Sequence, residues 1–174
     1  MNISAVFARN LRSGLLVAAA AGSIATSSTA FAQQATSAVT VDAAVTANCV
    51  VSTTPVSFGN VDVTSGSAVL GTGGVSVTCT NGTAWSAAAD AGQAVGATPA
   101  TRQMTDGTNL LNYSLYTDTG RTTLWGDGTA ASAAITDTGT GAAQPQTIFA
   151  RVPAGQNALP AGNYADLVVV TVTY

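Results

Sequence analysis

The sequence has 174 residues, with five Arg, eight Asp and no Lys, Glu or His, and its formal net charge is −3. This composition argues against binding to nucleic acid or to anionic membranes, because both need clustered basic side chains. Without His the chain also lacks the pairs in which His activates a Ser or Cys nucleophile.

The first 32 residues have the pattern of a secretory signal peptide. Arg9 and Arg12 form a basic region, an apolar run follows at 14–25, and small residues flank position 31 as at a cleavage site. The apolar run is too short and too rich in Ala to span a membrane. We therefore predict export of a mature chain that begins at Gln33, is more acidic than the precursor, and is long enough for one domain.

An alternating segment opens this predicted mature chain. Within residues 33–46, apolar and polar side chains alternate in the stretch VTVDAAV, and Asp42 falls on the polar face. A period of two residues is typical of a half-buried strand. The apolar face carries Val39, Val41, Ala43 and Val45.

Cys49 and Cys79 are the two cysteines of the chain. An even number of cysteines behind a signal peptide predicts a disulfide formed in an oxidising compartment. Closing a loop of this length would contribute roughly 3–4 kcal/mol in the chain-entropy model. A metal or redox site is the weaker interpretation, because the spacing is not CxxC and no His is available.

Alternating runs separated by turn residues continue through the middle of the chain. We predict strands at 73–79, 111–116 and 147–152, and a surface loop with one short strand at 126–146. No segment keeps a helical period, so the pattern predicts an antiparallel β-sandwich. The inward faces of the three strands would carry Val75, Val77, Cys79, Leu111, Tyr113, Leu115, Ile148, Ala150 and Val152.

The last eight residues, LVVVTVTY at 167–174, form the most apolar and most β-prone stretch of the mature sequence. No later segment of this sequence follows to cover it, and a bare apolar edge strand promotes aggregation. We therefore expect that another chain covers this strand. Its inward face would carry Val168, Val170, Val172 and Tyr174.

Two motifs that elsewhere indicate catalysis or cofactor binding occur here in a sequence context that does not suit either role. Asp-Thr-Gly occurs at 118–120 and at 137–139, and aspartic proteases use two such aspartates that share a proton. Both copies lie in Gly- and Thr-rich turns, and one domain of this length cannot supply the two lobes of a single-chain protease. The stretch GTGG at 71–74 lacks the strand–turn–helix context of a phosphate loop. We predict no enzymatic activity, no cofactor and no metal.

Five stretches together resemble the spore coat protein U domain family, which includes pilin subunits of archaic chaperone–usher pili. They are ANCVVSTTPVSFGNVDV (47–63), VSVTCTNGT (75–83), LNYSLYTDTGRTTLWGDG (111–128), IFARVPAGQ (148–156) and GNYADLVVVTVTY (162–174). The resemblance implies an incomplete immunoglobulin-like sandwich that lacks its final strand, and a disulfide between Cys49 and Cys79. It also implies a periplasmic chaperone and an outer-membrane usher as partners, with other pilin copies.

In such pilins the N-terminal extension of one subunit completes the sandwich of the next, a form of β-augmentation. Applied to this sequence, the resemblance makes 33–46 the donor-strand extension and 47–174 the pilin domain. Val39, Val41, Ala43 and Val45 would be the donor residues. The acceptor groove would present Val168, Val170, Val172 and Tyr174, with the strand Ala47–Val51 on its other side.

The predicted function is a structural pilin subunit, located at the cell surface or secreted, that forms a fibre for adhesion and biofilm formation. One alternative is a secreted spore-coat or matrix protein of the same fold. A tip adhesin is a weaker alternative, because the mature chain has no room for an additional binding domain. A further alternative concerns 33–46 alone, which could pair within its own domain as an ordinary first strand.

Overall fold

The computed structural model describes residues 32–174, and all of its regular secondary structure is β-strand. The predicted signal peptide lies outside the described residues except for Ala32. Within the described range no helix is long and apolar enough to cross a membrane. The eight strands are β1 (Cys49–Ser57), β2 (Val69–Cys79), β3 (Ala84–Ala89), β4 (Arg102–Thr105), β5 (Leu110–Tyr116), β6 (Ile135–Thr138), β7 (Gln144–Val152) and β8 (Val170–Thr173).

The strands form two antiparallel sheets within the compact unit 43–174. One sheet has five strands in the order β1-β2-β7-β5-β4, and the other has three in the order β6-β3-β8. The predicted all-β class is therefore confirmed. β1 and β8 are each at the edge of a sheet: β1 is paired with β2 alone, and β8 with β3 alone.

The core lies between the inner faces of the two sheets, where the alternation seen in the sequence is confirmed. Every predicted inward residue of β2, β5 and β7 is at most 5% exposed. The smaller sheet contributes Trp85, Ala87 and Ala89 from β3. Sequence reasoning missed this strand, because Ala has a low intrinsic preference for β-structure.

Glycines on the inner face of β2 determine how β1 packs. Gly71 and Gly73 share that face with Val75, and the space that larger side chains would occupy there is filled from β1. A Cβ atom on Gly73 would lie 2.6 Å from Cγ2 of Val56, and one on Gly71 would lie 3.0 Å from Cδ1 of Phe58. The β1–β2 register shifts in the same region. The end of β1 therefore crosses over β2 towards the interior, as close backbone approach at strand glycines allows.

The predicted disulfide is confirmed. Cys49 and Cys79 are bonded, and they stand directly opposite each other in the β1–β2 ladder. The bond therefore fastens the first residue of an edge strand, β1, to the last residue of its neighbour.

Arg102 is a fully buried cation that the sequence pattern did not single out. Its guanidinium donates hydrogen bonds to the carbonyl oxygens of Ala89, Asp90, Pro99 and Trp125. Burial lowers the pKa of Arg102 from its ordinary value. One of these carbonyls belongs to the last residue of β3, and the others belong to segments that follow β3, precede β4 or lie between β5 and β6. Arg102 therefore ties these segments together near the start of β4.

Candidate functional site

A groove of about 440 Å³ opens between the end of β1 and the segment that leads into β8. Its floor is the buried core, so anything that enters the groove contacts mainly apolar side chains. The first wall is formed by Thr53, Thr54, Pro55, Val56 and Phe58, the second by Tyr164, Ala165, Asp166, Leu167, Val168 and Val170, and the floor by Gly74, Met104, Tyr113, Leu115, Trp125 and Ile148.

The second wall is a chain segment that crosses from one sheet to the other. Ala165 makes a two-way backbone bridge with Thr105, the last residue of β4, at 2.9 and 3.0 Å. Four residues later, the carbonyl oxygen of Val169 accepts a hydrogen bond from the backbone N–H of Asp90, the residue that directly follows β3. This crossing explains why regular strand pairing in LVVVTVTY starts only at Val170, although the alternation starts earlier.

A carboxylate holds the crossing segment in place. Asp166 accepts a 2.6 Å hydrogen bond from the hydroxyl of Tyr113, and its other oxygen accepts from the backbone N–H groups of Gln93 and Leu167, both at 2.8 Å. The side-chain amide of Gln93 also donates to the carbonyl of Leu167. Burial, with the hydrogen bond to Asp166, raises the pKa of Tyr113 far above its ordinary value, so its hydroxyl stays protonated and remains a donor.

Tyr113 also contacts the opposite wall. Its ring packs edge-on against Phe58, with ring centroids 6.3 Å apart and planes at 68°. Such an edge-to-face arrangement is favourable for aromatic pairs. Tyr113 therefore stands at the base of the groove and contacts both of its walls, by its ring on one side and by its hydroxyl on the other.

The structure brings most of the predicted acceptor residues to this region. Val168, Val170 and Val172 are half-buried and pack against the core, and the first two line the groove. Tyr174 is 57% exposed and lies beside β3 and β6 in a shallow cleft away from the groove. The other wall is the later part of β1 and Phe58 rather than the predicted Ala47–Val51.

A second cavity, of about 520 Å³, continues the groove past Phe58. The two cavities share Val56, Phe58, Met104 and Tyr164, and the second extends between residues 56–63 and 159–164. The two cavities together form a long track beside the core.

The strand edges next to this track have free hydrogen-bonding groups. Within residues 32–174, β1 and β8 are each hydrogen-bonded to a neighbouring strand along one edge, and the other edge of each strand has no partner strand. An extended peptide can add to such an edge through main-chain hydrogen bonds while alternate side chains enter the pockets. The arrangement is thus suited to binding a β-strand with apolar residues at every second position.

The predicted donor extension has that pattern. Residues 32–48 contain no strand, and every one of them is exposed. Val39 is 86% exposed, and Val41 and Val45 are both 87% exposed. These three valines lie on one face of the segment, and their exposure leaves that apolar surface available for another contact.

The two Asp-Thr-Gly motifs are separate and make local contacts. Asp118 accepts hydrogen bonds from the backbone N–H groups of Thr123 and Thr122, which lower its pKa. Asp137 lies in β6 and accepts from the side-chain amide of Gln144. Among residues 32–174 no group of three or more His, Cys, Asp and Glu side chains could hold a metal ion.

The chain is similar to a known family over most of its length. The family model of the spore coat protein U domain matches residues 35–171. Protein U from Myxococcus xanthus is 36% identical over 114 residues, which is 61% of this chain and 61% of that protein. The chain therefore spans about three-fifths of this curated relative.

Among solved structures, the chain is similar to one from the CsuC–CsuE chaperone–tip adhesion subunit pre-assembly complex of archaic chaperone–usher Csu pili of Acinetobacter baumannii. The TM-score is 0.55 at 17% identity, and the match covers 75% of this chain and 40% of that one. At this level of identity the similarity concerns the fold.

Proposed function

The chain belongs to the spore coat protein U domain family, and we propose that it is a pilin-type structural subunit that polymerises into a cell-surface fibre. One copy would place its extension, residues 33–46, in the groove of the next. The observation that carries this proposal is the pairing of two open strand edges over an apolar groove with an exposed, alternating apolar segment in the same chain.

The contact would be head to tail, since donor and acceptor are different parts of the molecule. Such contacts do not close on themselves and generate filaments. Val39, Val41, Ala43 and Val45 would enter the groove, and Val168, Val170, Val172 and Tyr174 would belong to the acceptor strand and its end. Burying each donor valine would stabilise the contact by roughly 1.5–3 kcal/mol, and Asp42 on the opposite face would disfavour a one-residue slip.

We also propose the partners and the route of export. The similar solved structure contains a chaperone bound to a pilus subunit, which supports a periplasmic chaperone that covers the groove before assembly. An outer-membrane usher would then exchange the chaperone for the next extension. The chain would reach the periplasm through the signal peptide at 1–32 and finally serve adhesion and biofilm formation at the surface.

A pair of neighbouring substitutions tests the donor assignment. Val41→Asp places a charge on the apolar face, where burial without a partner costs several kcal/mol, so we expect loss of fibres. Thr40→Asp adds the same charge on the polar face and should leave fibres intact. Both variants are expressed with the assembly genes, and cells are examined by electron microscopy. Normal fibres from Val41→Asp would refute the proposal.

The same pair separates donation from pairing within one domain. If residues 33–46 were an ordinary first strand of their own domain, Val41→Asp would lower the free energy of unfolding of the monomer. The donor role leaves that free energy unchanged, because the segment makes its contacts in another copy. Urea unfolding of both variants at low protein concentration distinguishes the two cases.

A secreted coat or matrix protein is the second candidate, and the name of the matched family, spore coat protein U domain, favours it. A coat protein would assemble into a layer rather than into thin fibres, and it would not need an usher. Genes for a chaperone, an usher and a larger tip subunit beside this gene would support the pilin. Electron microscopy of the assembled material then separates a layer from a fibre.

A further inference from the structure

We propose that Tyr113 and Asp166 are positioning residues that keep the empty groove open for an incoming strand. The inference rests on the proposed function, since it concerns the same groove. It adds that the groove depends on one part-buried hydrogen bond between its floor and one wall. We call this hydrogen bond the Tyr113–Asp166 tether.

The tether acts at the point where the second wall is least supported. Between the bridge at Ala165 and the pairing at Val169, the crossing segment belongs to neither sheet. Val168 packs against the core there, and the hydrogen bonds from this stretch to the rest of the molecule run through Asp166, which binds Tyr113 and Gln93, and through the amide of Gln93 on Leu167. The wall is therefore held by side-chain hydrogen bonds where a strand would use a ladder.

The carboxylate of Asp166 fits closely in its position. A Cβ atom on Gly92 would collide with this carboxylate, so only glycine leaves room for it there. Both Tyr113 and Asp166 line the groove, and the hydroxyl of Tyr113 supplies one of the three donors that the carboxylate receives. Removing that donor leaves one carboxylate oxygen without its partner beside an apolar floor, which favours rotation of Asp166 towards water.

Tyr113 also determines the separation of the walls. Its ring contacts Phe58 on the first wall, and its hydroxyl holds Asp166 on the second. Without the tether, Leu167, which is 66% exposed, can move onto the floor and cover apolar surface that is otherwise open to water. The empty groove would then be partly closed, whereas a bound strand would hold the two walls apart by itself.

This difference predicts a specific kinetic effect. The tether raises the fraction of empty subunits that can accept a strand, and binding is weakened in proportion when that fraction falls. We expect Tyr113→Phe to slow association of a strand roughly tenfold or more, as loss of a hydrogen bond to a charged group implies. Dissociation should stay within about twofold of the wild-type rate, because the change acts on the fraction of empty subunits able to bind and leaves the bound complex as it is.

The experiment uses the exported chain at low concentration and a fluorescent synthetic peptide of residues 33–46, with association and dissociation measured by stopped flow. Tyr116→Phe is the matched control, because Tyr116 is buried on the same strand but lies under Arg151 and away from the groove. Asp166→Asn preserves hydrogen-bonding capacity, whereas Asp166→Ala removes it. We expect near-normal association for Asp166→Asn and slow association for Asp166→Ala. These two variants keep the test decisive if Tyr113→Phe folds poorly.

The outcomes separate the two proposals. A wild-type chain that does not bind the peptide overturns the groove as a strand-binding site, and the tether with it. A wild-type chain that binds while Tyr113→Phe and Asp166→Ala associate at the same rate overturns the tether alone. Slower association with unchanged dissociation, seen in Tyr113→Phe and Asp166→Ala and absent from the control, supports the tether. An effect on dissociation alone would overturn the positioning role, since it would make Tyr113 a direct contact for the strand.

Discussion

Replacing Gly73 by Ala tests whether the glycines of β2 shape the groove. The added methyl group would lie 2.6 Å from Cγ2 of Val56, 2.9 Å from the carbonyl oxygen of Thr54 and 3.0 Å from the backbone N of Val56. Two of these three atoms belong to the backbone of β1, so a side-chain rotation cannot relieve the overlap. β1 must move away from β2, and Val56 and Phe58 move with it.

The expected magnitude follows from two opposing effects. Overpacking a well-filled interior costs about 1–3 kcal/mol, whereas replacing Gly by Ala at a compatible position stabilises by about 0.4–1 kcal/mol through the unfolded chain. We therefore expect the free energy of unfolding to fall by about 1–2 kcal/mol. Urea unfolding followed by the fluorescence of the buried Trp85 and Trp125 measures this change in the monomeric chain.

Gly74→Ala is the matched control for stability, one residue along the same strand, where an added Cβ would lie on the face opposite to that of Gly73, although Gly74 itself borders the groove. Its methyl group would meet the exposed hydroxyl of Thr54 at 2.7 Å, which can rotate away, and the carbonyl oxygen of Gln146 at 3.3 Å. Equal stabilities for the two variants would refute the reasoning. Gly73→Ala should also bind the 33–46 peptide more weakly, because it displaces the first wall of the groove.

Two further predictions concern stability. Replacing both Cys49 and Cys79 by Ser should lower the free energy of unfolding by about 3–4 kcal/mol, since the disulfide closes a loop of 30 residues; a melting temperature equal to that of the wild type would contradict this. Hydrogen bonds, first from the side chain of Asn109, lower the pKa of Asp106 to about 2. Its stabilising contribution is present above its ordinary pKa of 3.8 and is lost as the pH falls towards 2, so melting curves of Asp106→Asn should change less than wild-type curves over that range. Parallel pH profiles would show that Asp106 makes no such contribution.

The strands predicted from the sequence are those whose inner faces alternate strongly. β2, β5 and β7 have large apolar residues at every second position, and these residues form the core. β3 and β4 lack that signal, because β3 is mostly Ala and β4 begins with the buried Arg102. The burial of Arg102 depends on four carbonyl groups that converge only in the folded chain, so no local pattern indicates it.

The groove was predicted in part. The alternation of the final segment indicated Val168 and Val170, which line it, and Val172, which packs against the core. The same alternation extended to Tyr174, which lies elsewhere. Asp166 and Tyr113 had no signal as a pair, because they are 53 residues apart and their hydrogen bond spans two structural elements.

The sequence by itself determined the β class, the disulfide and the inner faces of three strands. These properties are local, since alternation, turn residues and cysteine count act through neighbouring residues or through the compartment. The tertiary structure alone decided the shape of the groove. Its first wall depends on where β1 crosses the glycines of β2, and its second on a segment between the sheets that Asp166 holds. Both are close contacts between segments far apart in the chain, and side-chain periodicity carries no information about such contacts.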